Sequence, residues 1–265
     1  MKLSIITINY NGAIGLERTI KSVINQTCSD FDYIVIDGGS TDGSVDVIKH
    51  FADHIDFWLS EPDKGIYNAM NKGIEHARGE YCLFLNGGDW LADNDVIKDI
   101  FPFLESVSVV TGILQRGDEI CIPAEHLTFE WLYQWSVSHQ ASFIKTELLK
   151  KYPYDEALKI VSDWKFWLQI FISDNETYRA VKRKIAVFDM SGISSLQKEL
   201  VNEERIMVVK EFLPPRILED YRLLLDSRDG ALYMHFLKSP HHFVFYKYNQ
   251  YLMRFLSFVL KLKRW

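Results

Sequence analysis

Two short apolar runs of this chain end in loops rich in acid and glycine. The run at 31–36 is followed by Asp37 and two glycines, and the run at 81–85 is followed by Asn86-Gly87-Gly88-Asp89. Glycine lets backbone amides approach a ligand closely because it has no Cβ. An acid at such a strand end is placed to hydrogen-bond a base or a ribose. The repeated pattern predicts one nucleotide pocket built from both loops.

Apolar strands alternate with amphipathic helices through the first 86 residues, with strands expected at 3–9, 32–37, 57–60 and 81–85. This β-α-β rhythm of near-continuous apolar strands indicates a parallel sheet covered on both faces. Ligands bind at the carboxyl ends of such strands. We therefore expect Asn9, Asp37 and the loops 60–65 and 86–89 to converge on one site.

The rhythm changes after residue 90, and no strand pattern is found beyond about residue 196. The elements predicted between these points are a helix at 93–104, strands at 107–114, 120–122 and 142–144, and a helix at 162–171.

Composition limits the class of protein. A chain of 265 residues with 48% hydrophobic content can bury one large core and a smaller subdomain. The net charge of −6 argues against nucleic-acid binding, and three distant cysteines give neither a disulfide framework nor a zinc spacing. With no signal peptide and no apolar run near the roughly 20 residues of a membrane span, we expect a cytoplasmic protein.

Several ordered segments carry a family resemblance: 4–11, 36–44, 61–73, 77–81 and 84–89, then His139-Gln140 and Ser162-Asp163-Trp164. Together they resemble family-2 inverting glycosyltransferases of the GT-A fold, of the bacterial surface-polysaccharide type. The resemblance implies an α/β fold with a mostly parallel central sheet flanked by helices. It implies a catalytic domain at 1–195, with a nucleotide-binding half at 1–90 and an acceptor half at 91–195, and a helical extension at 196–265.

For the donor, the resemblance implies a nucleotide-diphosphate sugar, and we expect a UDP-sugar. Thr7 and Asn9 would line its base and ribose, Asp37 would accept a hydrogen bond from the base, and Lys64 would neutralise the diphosphate. The other donor-binding candidates are Ser40, Asp63, Asn86 and Gly88. Thr7 is equally an ordinary β-branched strand residue, and Asp37 is alternatively a turn cap. Lys72 and Arg78 are interpreted as charges on a solvated helix face.

For the cofactor, the resemblance implies a divalent cation, Mg²⁺ or Mn²⁺, that bridges the two phosphates. Asp89 corresponds to the last acid of the family's Asp-x-Asp motif, whose first acid is absent here. Mg²⁺ typically takes only one or two protein carboxylates. We expect Asp89 to hold the cation with phosphate oxygens and water.

For catalysis, Asp163 matches the family's general base, which accepts the proton of the acceptor hydroxyl as that oxygen attacks the anomeric carbon. A helix N-cap is the alternative role, and the two are compatible. His139, Gln140 and Trp164 are candidates near the sugar or the acceptor. His139 is nearly as well explained as a structural histidine, and Trp164 lies three residues from Trp167, a spacing typical of a core helix face.

The C-terminal tail is basic and aromatic, since no acid follows Asp229. Such a segment is typical of an anchor on the membrane surface, with a docked helix or a homodimer interface as alternatives. We expect a peripheral enzyme on the cytoplasmic face whose acceptor is a saccharide or a lipid-linked saccharide. The rival functions are a nucleotidyltransferase and a catalytically inactive binding module. A dinucleotide dehydrogenase is disfavoured because no G-x-G-x-x-G fingerprint follows the first strand.

Overall fold

A computed structural model of the chain describes residues 1–190 and 198–226. The strands are β1 (Leu3–Asn9), β2 (Phe31–Asp37), β3 (Phe57–Ser60), β4 (Tyr81–Phe84), β5 (Trp90–Leu91), β6 (Val109–Arg116), β7 (Glu119–Cys121), β8 (Ser142–Lys145) and β9 (Tyr178–Phe188). The helices are α1 (Ala13–Ile24), α2 (Ser44–His50), α3 (Ile66–His76), α4 (Val96–Ile100), α5 (Phe129–Gln134), α6 (Thr146–Lys151), α7 (Ser162–Leu168), α8 (Lys198–Phe212) and α9 (Pro215–Asp226).

The strands form one mixed sheet in the order β3-β2-β1-β4-β8-β6-β9-β5, with β7 paired to β6. The first four strands in this order run parallel, as the alternating pattern predicts. β8 is antiparallel to both of its neighbours, β4 and β6. The register places Asn9 opposite Asp37, and Asp37 opposite Ser60. These three polar residues therefore form a row at the carboxyl ends of the parallel strands.

Helices cover both faces of the parallel strands. Every residue of β1 is buried, and the apolar residues of α1 pack into the same core as those of α4. On the other face, α3 approaches β1 so closely that a Cβ at Gly73 would overlap the side chain of Ile6. Glycine is required at this point because any larger residue would push α3 away from the sheet.

Several elements depart from the sequence expectations, and β5, α5 and α6 were not predicted. The helix expected at 93–104 is shorter, with α4 continued by a single 3₁₀ turn at Phe101–Phe103. The strand β9 was not predicted, because its sequence YRAVKRKIAVF interrupts the apolar pattern with four cations. The helix expected at 162–171 is confirmed, and a π-helical turn at Gln169–Ser173 ends it.

One compact unit spans Met1–Val208 and a second spans Val209–Trp265. In the second unit the structure describes the end of α8 and the helix α9, which opens on Pro215, a favoured first helical residue. No helix in the described ranges is long and apolar enough to cross a membrane. The prediction of a membrane anchor falls on the tail from 239 onward, which lies outside the described residues.

Candidate active site

Asn9 connects the two glycine loops at the sheet edge. Its Nδ2 donates to Asp37 Oδ1 at 2.9 Å and lies 3.3 Å from Ser40 Oγ. On the other side, a Cβ at Gly87 would lie 2.6 Å from Asn9 Oδ1, so only glycine allows this approach. The structure thus brings together the ends of β1, β2 and β4.

Asp37 is buried and fully hydrogen-bonded. Its Oδ1 accepts from Asn9 and from Ser40 Oγ at 2.6 Å, and its Oδ2 accepts from the Ser40 amide at 2.9 Å and from Ser60 Oγ at 2.7 Å. Burial alone would raise the pKa of Asp37, but these hydrogen bonds outweigh it and lower the pKa. Because a carboxylate offers about four acceptor positions, all of them are taken. A hydrogen bond from a base to Asp37 would have to replace one of these contacts, and it stays a prediction.

A small surface beside this network is formed by Gly38, Tyr10 and Asp63. A Cβ at Gly38 would overlap the Asp63 carboxylate and lie 3.2 Å from the Tyr10 ring. The Tyr10 side chain is 67% exposed. The loop continues through Lys64, which is exposed, and Asp63 Oδ1 accepts from the Gly65 amide at 2.9 Å. Sequence reasoning missed Tyr10, although an aromatic residue directly after the polar end of β1 is a signal for it.

Asp89 carries a buried carboxylate oxygen that no described residue satisfies. Its Oδ1 accepts from the Asp189 amide at 2.8 Å, whereas its Oδ2 has no hydrogen-bond partner within the described ranges. Burial raises the pKa of Asp89 to about 6. In the same loop, Asn86 Oδ1 is also buried without a partner in the described part of the chain. Buried polar atoms are rarely left unpaired, so these two oxygens are candidates for contact with a bound ligand.

The oxygens of this loop fit Mg²⁺ or Mn²⁺ by chemistry, since both ions prefer carboxylate and carbonyl oxygens. Among the described residues, no group of three or more His, Cys, Asp or Glu side chains could hold a metal alone. A cation here would therefore need oxygens of the bound ligand or water to complete its coordination.

The loop around Asp89 is fixed from α1 and from the end of β9. Thr19 Oγ1 donates to the Asp89 carbonyl at 2.6 Å and accepts from the Gly88 amide at 2.9 Å. Arg18 pairs with Asp189 at 2.8 Å, and its guanidinium lies 4.0 Å from the centre of the Trp90 ring. Asp189 is a site residue that the sequence did not reveal, because only the pairing of β9 with β5 brings it to Asp89.

Asp163 lies in the first turn of α7 and is held at both carboxylate oxygens. Its Oδ2 is 3.1 Å from His139 Nδ1, and its Oδ1 accepts from the Trp164 amide at 2.9 Å. The Tyr67 hydroxyl is 3.1 Å from Asp163 Oδ1 and also reaches the Ile160 carbonyl. The side chains of His139 and Asp163 are 14% and 16% exposed. Both side chains are therefore partly accessible to solvent.

His139 links this carboxylate to the loop of Asp89. Its Nε2 lies 3.4 Å from Asn86 Nδ2. The Asn86 amide can only donate from this nitrogen, so Nε2 accepts and the proton of a neutral His139 resides on Nδ1, facing Asp163. A continuous series of contacts therefore runs from Asn86 through His139 to Asp163.

Two predicted contacts are corrected. Thr7 is fully buried, and its hydroxyl lies 3.0 Å from the Tyr33 hydroxyl inside the core, so it is a strand residue and not a contact to base or ribose. Trp164 is 2% exposed, and its indole N–H donates to the Leu132 carbonyl at 2.6 Å. Its ring is therefore part of the core and has no face for a sugar.

Of the remaining candidates, Gln140 is 6% exposed, beside His139, and its role near the acceptor stays a prediction. Lys72 is only 20% exposed and pairs with Glu61 at 2.7 Å. Arg78 is 61% exposed and pairs with Asp32 at 3.2 Å. The exposure of Arg78 agrees with a solvated face, whereas Lys72 is mostly covered.

The sheet order and the acid-bearing loops at its edge define the GT-A fold of nucleotide-sugar transferases. Residues 4–153 match the model of glycosyl transferase family 2. The chain belongs to this family and is a glycosyltransferase. A PGL/p-HBAD biosynthesis glycosyltransferase of Mycobacterium tuberculosis is 29% identical over 209 residues, which is 76% of this chain and 81% of that protein. An uncharacterized glycosyltransferase of the same species is 34% identical over 204 residues, 73% of this chain and 77% of that protein.

Solved structures share the fold at low identity. Staphylococcus aureus TarS, in complex with UDP-GlcNAc, has a TM-score of 0.63 and 19% identity over 74% of this chain. The chain spans 61% of that TarS chain. The mannosyltransferase PcManGT from Pyrobaculum calidifontis, in complex with GDP-Man and Mn²⁺, has a TM-score of 0.57 and 17% identity, covering 71% of this chain and 56% of that one.

Proposed function

We propose that this glycosyltransferase moves a sugar, with inversion, from a nucleotide-diphosphate sugar to a hydroxyl of a saccharide or lipid-linked saccharide. One observation carries the proposal: the partly exposed carboxylate of Asp163 is joined through His139 and Asn86 to the loop that holds the unpaired oxygen of Asp89. A base for the acceptor and a site for the leaving diphosphate thus lie on either side of one histidine.

The donor's base is assigned to the surface of Tyr10, Gly38 and Asp63. The exposed Tyr10 ring offers a flat apolar face, and base–aromatic stacking is favourable for every base. Because Gly38 has no Cβ, the Asp63 carboxylate and the Tyr10 ring can pack against its backbone. The TarS complex with UDP-GlcNAc supports a UDP-sugar, and we assign the exposed Lys64 to the diphosphate.

Asp89 and Asn86 are assigned to the cation, either Mg²⁺ or Mn²⁺. When bound, the ion would neutralise charge that develops on the departing diphosphate. The two unpaired buried oxygens support this assignment, and the Mn²⁺ complex of the mannosyltransferase agrees with it. Asp89 must be ionised for this role, which its pKa of about 6 permits at neutral pH.

The transfer is a single displacement. The acceptor hydroxyl oxygen forms a bond to the anomeric carbon on one face, while the bond from that carbon to the diphosphate oxygen breaks on the opposite face. Asp163 Oδ2 receives the proton of the hydroxyl as it attacks. His139 and the Trp164 amide hold the carboxylate in place. Attack from the opposite face inverts the anomeric centre.

We place the reaction at the cytoplasmic face of a membrane, with the basic aromatic tail as the contact to anionic lipid. Polysaccharide biosynthesis is the process in which we propose that this enzyme acts. A docked helix and a homodimer interface are the alternatives for the same tail.

A panel of nucleotide sugars tests the proposal. Melting temperature is measured with UDP-, GDP- and dTDP-sugars, each with Mn²⁺, Mg²⁺ or EDTA, because a ligand that binds only the folded state stabilises it. We expect one nucleotide class to raise the melting temperature, and to do so more with the cation. Release of the nucleoside diphosphate from that donor is then followed with saccharide acceptors or water. Binding without any turnover would indicate the inactive module, and no shift with any nucleotide sugar would contradict the proposal.

A further inference from the structure

Glu204 on α8 has a buried carboxylate, and both of its oxygens accept hydrogen bonds from backbone amides of one loop. The side chain is 5% exposed. Its Oε1 accepts from the Lys159 amide at 2.7 Å, and its Oε2 accepts from the amides of Ile160 at 2.9 Å and Val161 at 3.1 Å. Three consecutive backbone donors of one loop are thus satisfied by one side chain from a distant part of the sequence.

This loop leads directly into α7 and so into Asp163. Ile160 is held from two directions, since its amide donates to Glu204 and its carbonyl lies within reach of the Tyr67 hydroxyl of α3. The same Tyr67 hydroxyl is 3.1 Å from Asp163 Oδ1. The position of the loop and the position of the catalytic carboxylate are therefore fixed by one set of contacts.

The neighbouring residue on α8, Arg205, contacts the same first turn of α7. The Arg205 guanidinium lies 4.6 Å from the centre of the Trp164 ring, and its Nη1 donates to the Gln134 carbonyl at 3.1 Å. Burial lowers the pKa of Arg205, and the negative charge of Asp163 opposes this change. Trp164 directly follows Asp163, and its amide donates to that carboxylate.

From these contacts we infer that α8 is a positioning element for the general base, and that Glu204 is its principal positioning residue. The inference rests on the proposed role of Asp163. Glu204 lies beyond residues 4–153 that match the family model, and its hydrogen bonds within the described ranges go to the loop at 159–161 and not to the donor loops or Asp163. It acts through the loop at 159–161, which it holds so that Asp163 faces His139.

The test compares Glu204→Gln with Glu203→Gln, the same change at the exposed neighbouring residue of α8. The amide nitrogen of glutamine cannot accept a hydrogen bond, so at least one of the three amides loses its partner. Hydrogen–deuterium exchange of the peptide covering 159–161, without ligand, is expected to be faster only in Glu204→Gln. With the donor found in the panel, we expect kcat to fall roughly 10- to 100-fold, as for a misplaced catalytic group. The KM for donor should change less than about threefold, because the donor loops keep their contacts.

Unchanged exchange at 159–161 in Glu204→Gln would overturn the anchoring role, and faster exchange with unchanged kcat would overturn the positioning role. An equal loss in Glu203→Gln would also overturn it. If Glu204→Gln does not fold, Glu204→Asp is measured in the same way, since it keeps the charge but shortens the reach. If the wild type shows no turnover, the proposed function fails, and local loss of protection still supports anchoring of the loop by Glu204.

Discussion

His139 Nδ1 lies 3.1 Å from Asp163 Oδ2, and the opposite nitrogen of the same ring lies 3.4 Å from Asn86 Nδ2. The imidazole thus orients the proposed base on one side and contacts the donor-side loop on the other. This relationship makes His139 a test of whether the two halves of the site act together.

Replacement of His139 by alanine should reduce transfer more than donor binding. Asp163 loses the group that holds Oδ2, so we expect kcat to fall roughly 10- to 100-fold. The affinity for nucleoside diphosphate, measured by calorimetry, should change only a few-fold. His126→Ala, in an exposed loop, is the control. Equal kcat values for His139→Ala and the control would remove His139 from the mechanism.

Asp89→Asn should stabilise the ligand-free protein at neutral pH. The pKa of Asp89 is raised from 3.8 to about 6 by burial, so the folded state favours the protonated form. Stability from this group is fully present below about pH 4 and is lost as the pH rises through about 6. Removal of the charge should therefore add about 1 to 3 kcal/mol to the free energy of unfolding at pH 7.5, from the size of the shift.

Urea denaturation of wild type and Asp89→Asn at pH 7.5 and pH 4.5, with EDTA present, measures this effect. The gain at pH 7.5 should shrink at pH 4.5. The same variant should lose the cation-dependent part of nucleotide binding. A variant that is less stable than wild type at pH 7.5 would show that Asp89 is satisfied within the fold, contrary to its unpaired Oδ2.

The parallel half of the fold could be predicted from the sequence because its strands are almost wholly apolar and end in polar loops. Asn9, Asp37 and Ser40 were assigned to one site, and the structure joins them by hydrogen bonds. The reason is general: the carboxyl ends of adjacent parallel strands meet at one edge of the sheet. Residue type and strand position are enough for this inference.

The remaining site residues depend on packing between distant parts of the chain, which the sequence pattern does not show. Thr7 looked like a ligand contact, but strand alternation directs its hydroxyl to Tyr33 in the core. Of the two roles open for Trp164, the core role holds, and the partners that decide it, Arg205 and the Leu132 carbonyl, come from other helices. Asp189 and Glu204 were missed, since each reaches the site from far along the chain.

Tyr10 provides a test of the base-binding surface. Loss of its ring in Tyr10→Ala should weaken nucleoside diphosphate binding by about 1 to 3 kcal/mol, the usual contribution of a base stacked on an aromatic ring. Tyr10→Phe keeps the ring and should bind within about twofold of wild type. Calorimetry with UDP measures both variants. Equal affinities for Tyr10→Ala and Tyr10→Phe would place the base elsewhere.

The membrane prediction for the tail can be tested with the full chain. Replacement of Lys261, Lys263 and Arg264 by glutamine should reduce binding to anionic vesicles, since each cation near the surface contributes about 1 kcal/mol. Binding of the wild type should fall as salt rises. Cosedimentation with phosphatidylserine vesicles measures it, and nucleotide binding is the control. Absence of wild-type binding at low salt, together with a dimer in sedimentation, would favour the homodimer interface.

The role of Asp163 as the general base is tested by the turnover and donor affinity of Asp163→Asn. Asparagine keeps the size of the side chain and an oxygen that can accept from the Trp164 amide, but it cannot take the proton of the acceptor. We predict donor affinity within about threefold of wild type and a kcat lower by roughly 10²- to 10⁴-fold. A kcat near that of the wild type would contradict the assignment of Asp163 as the base.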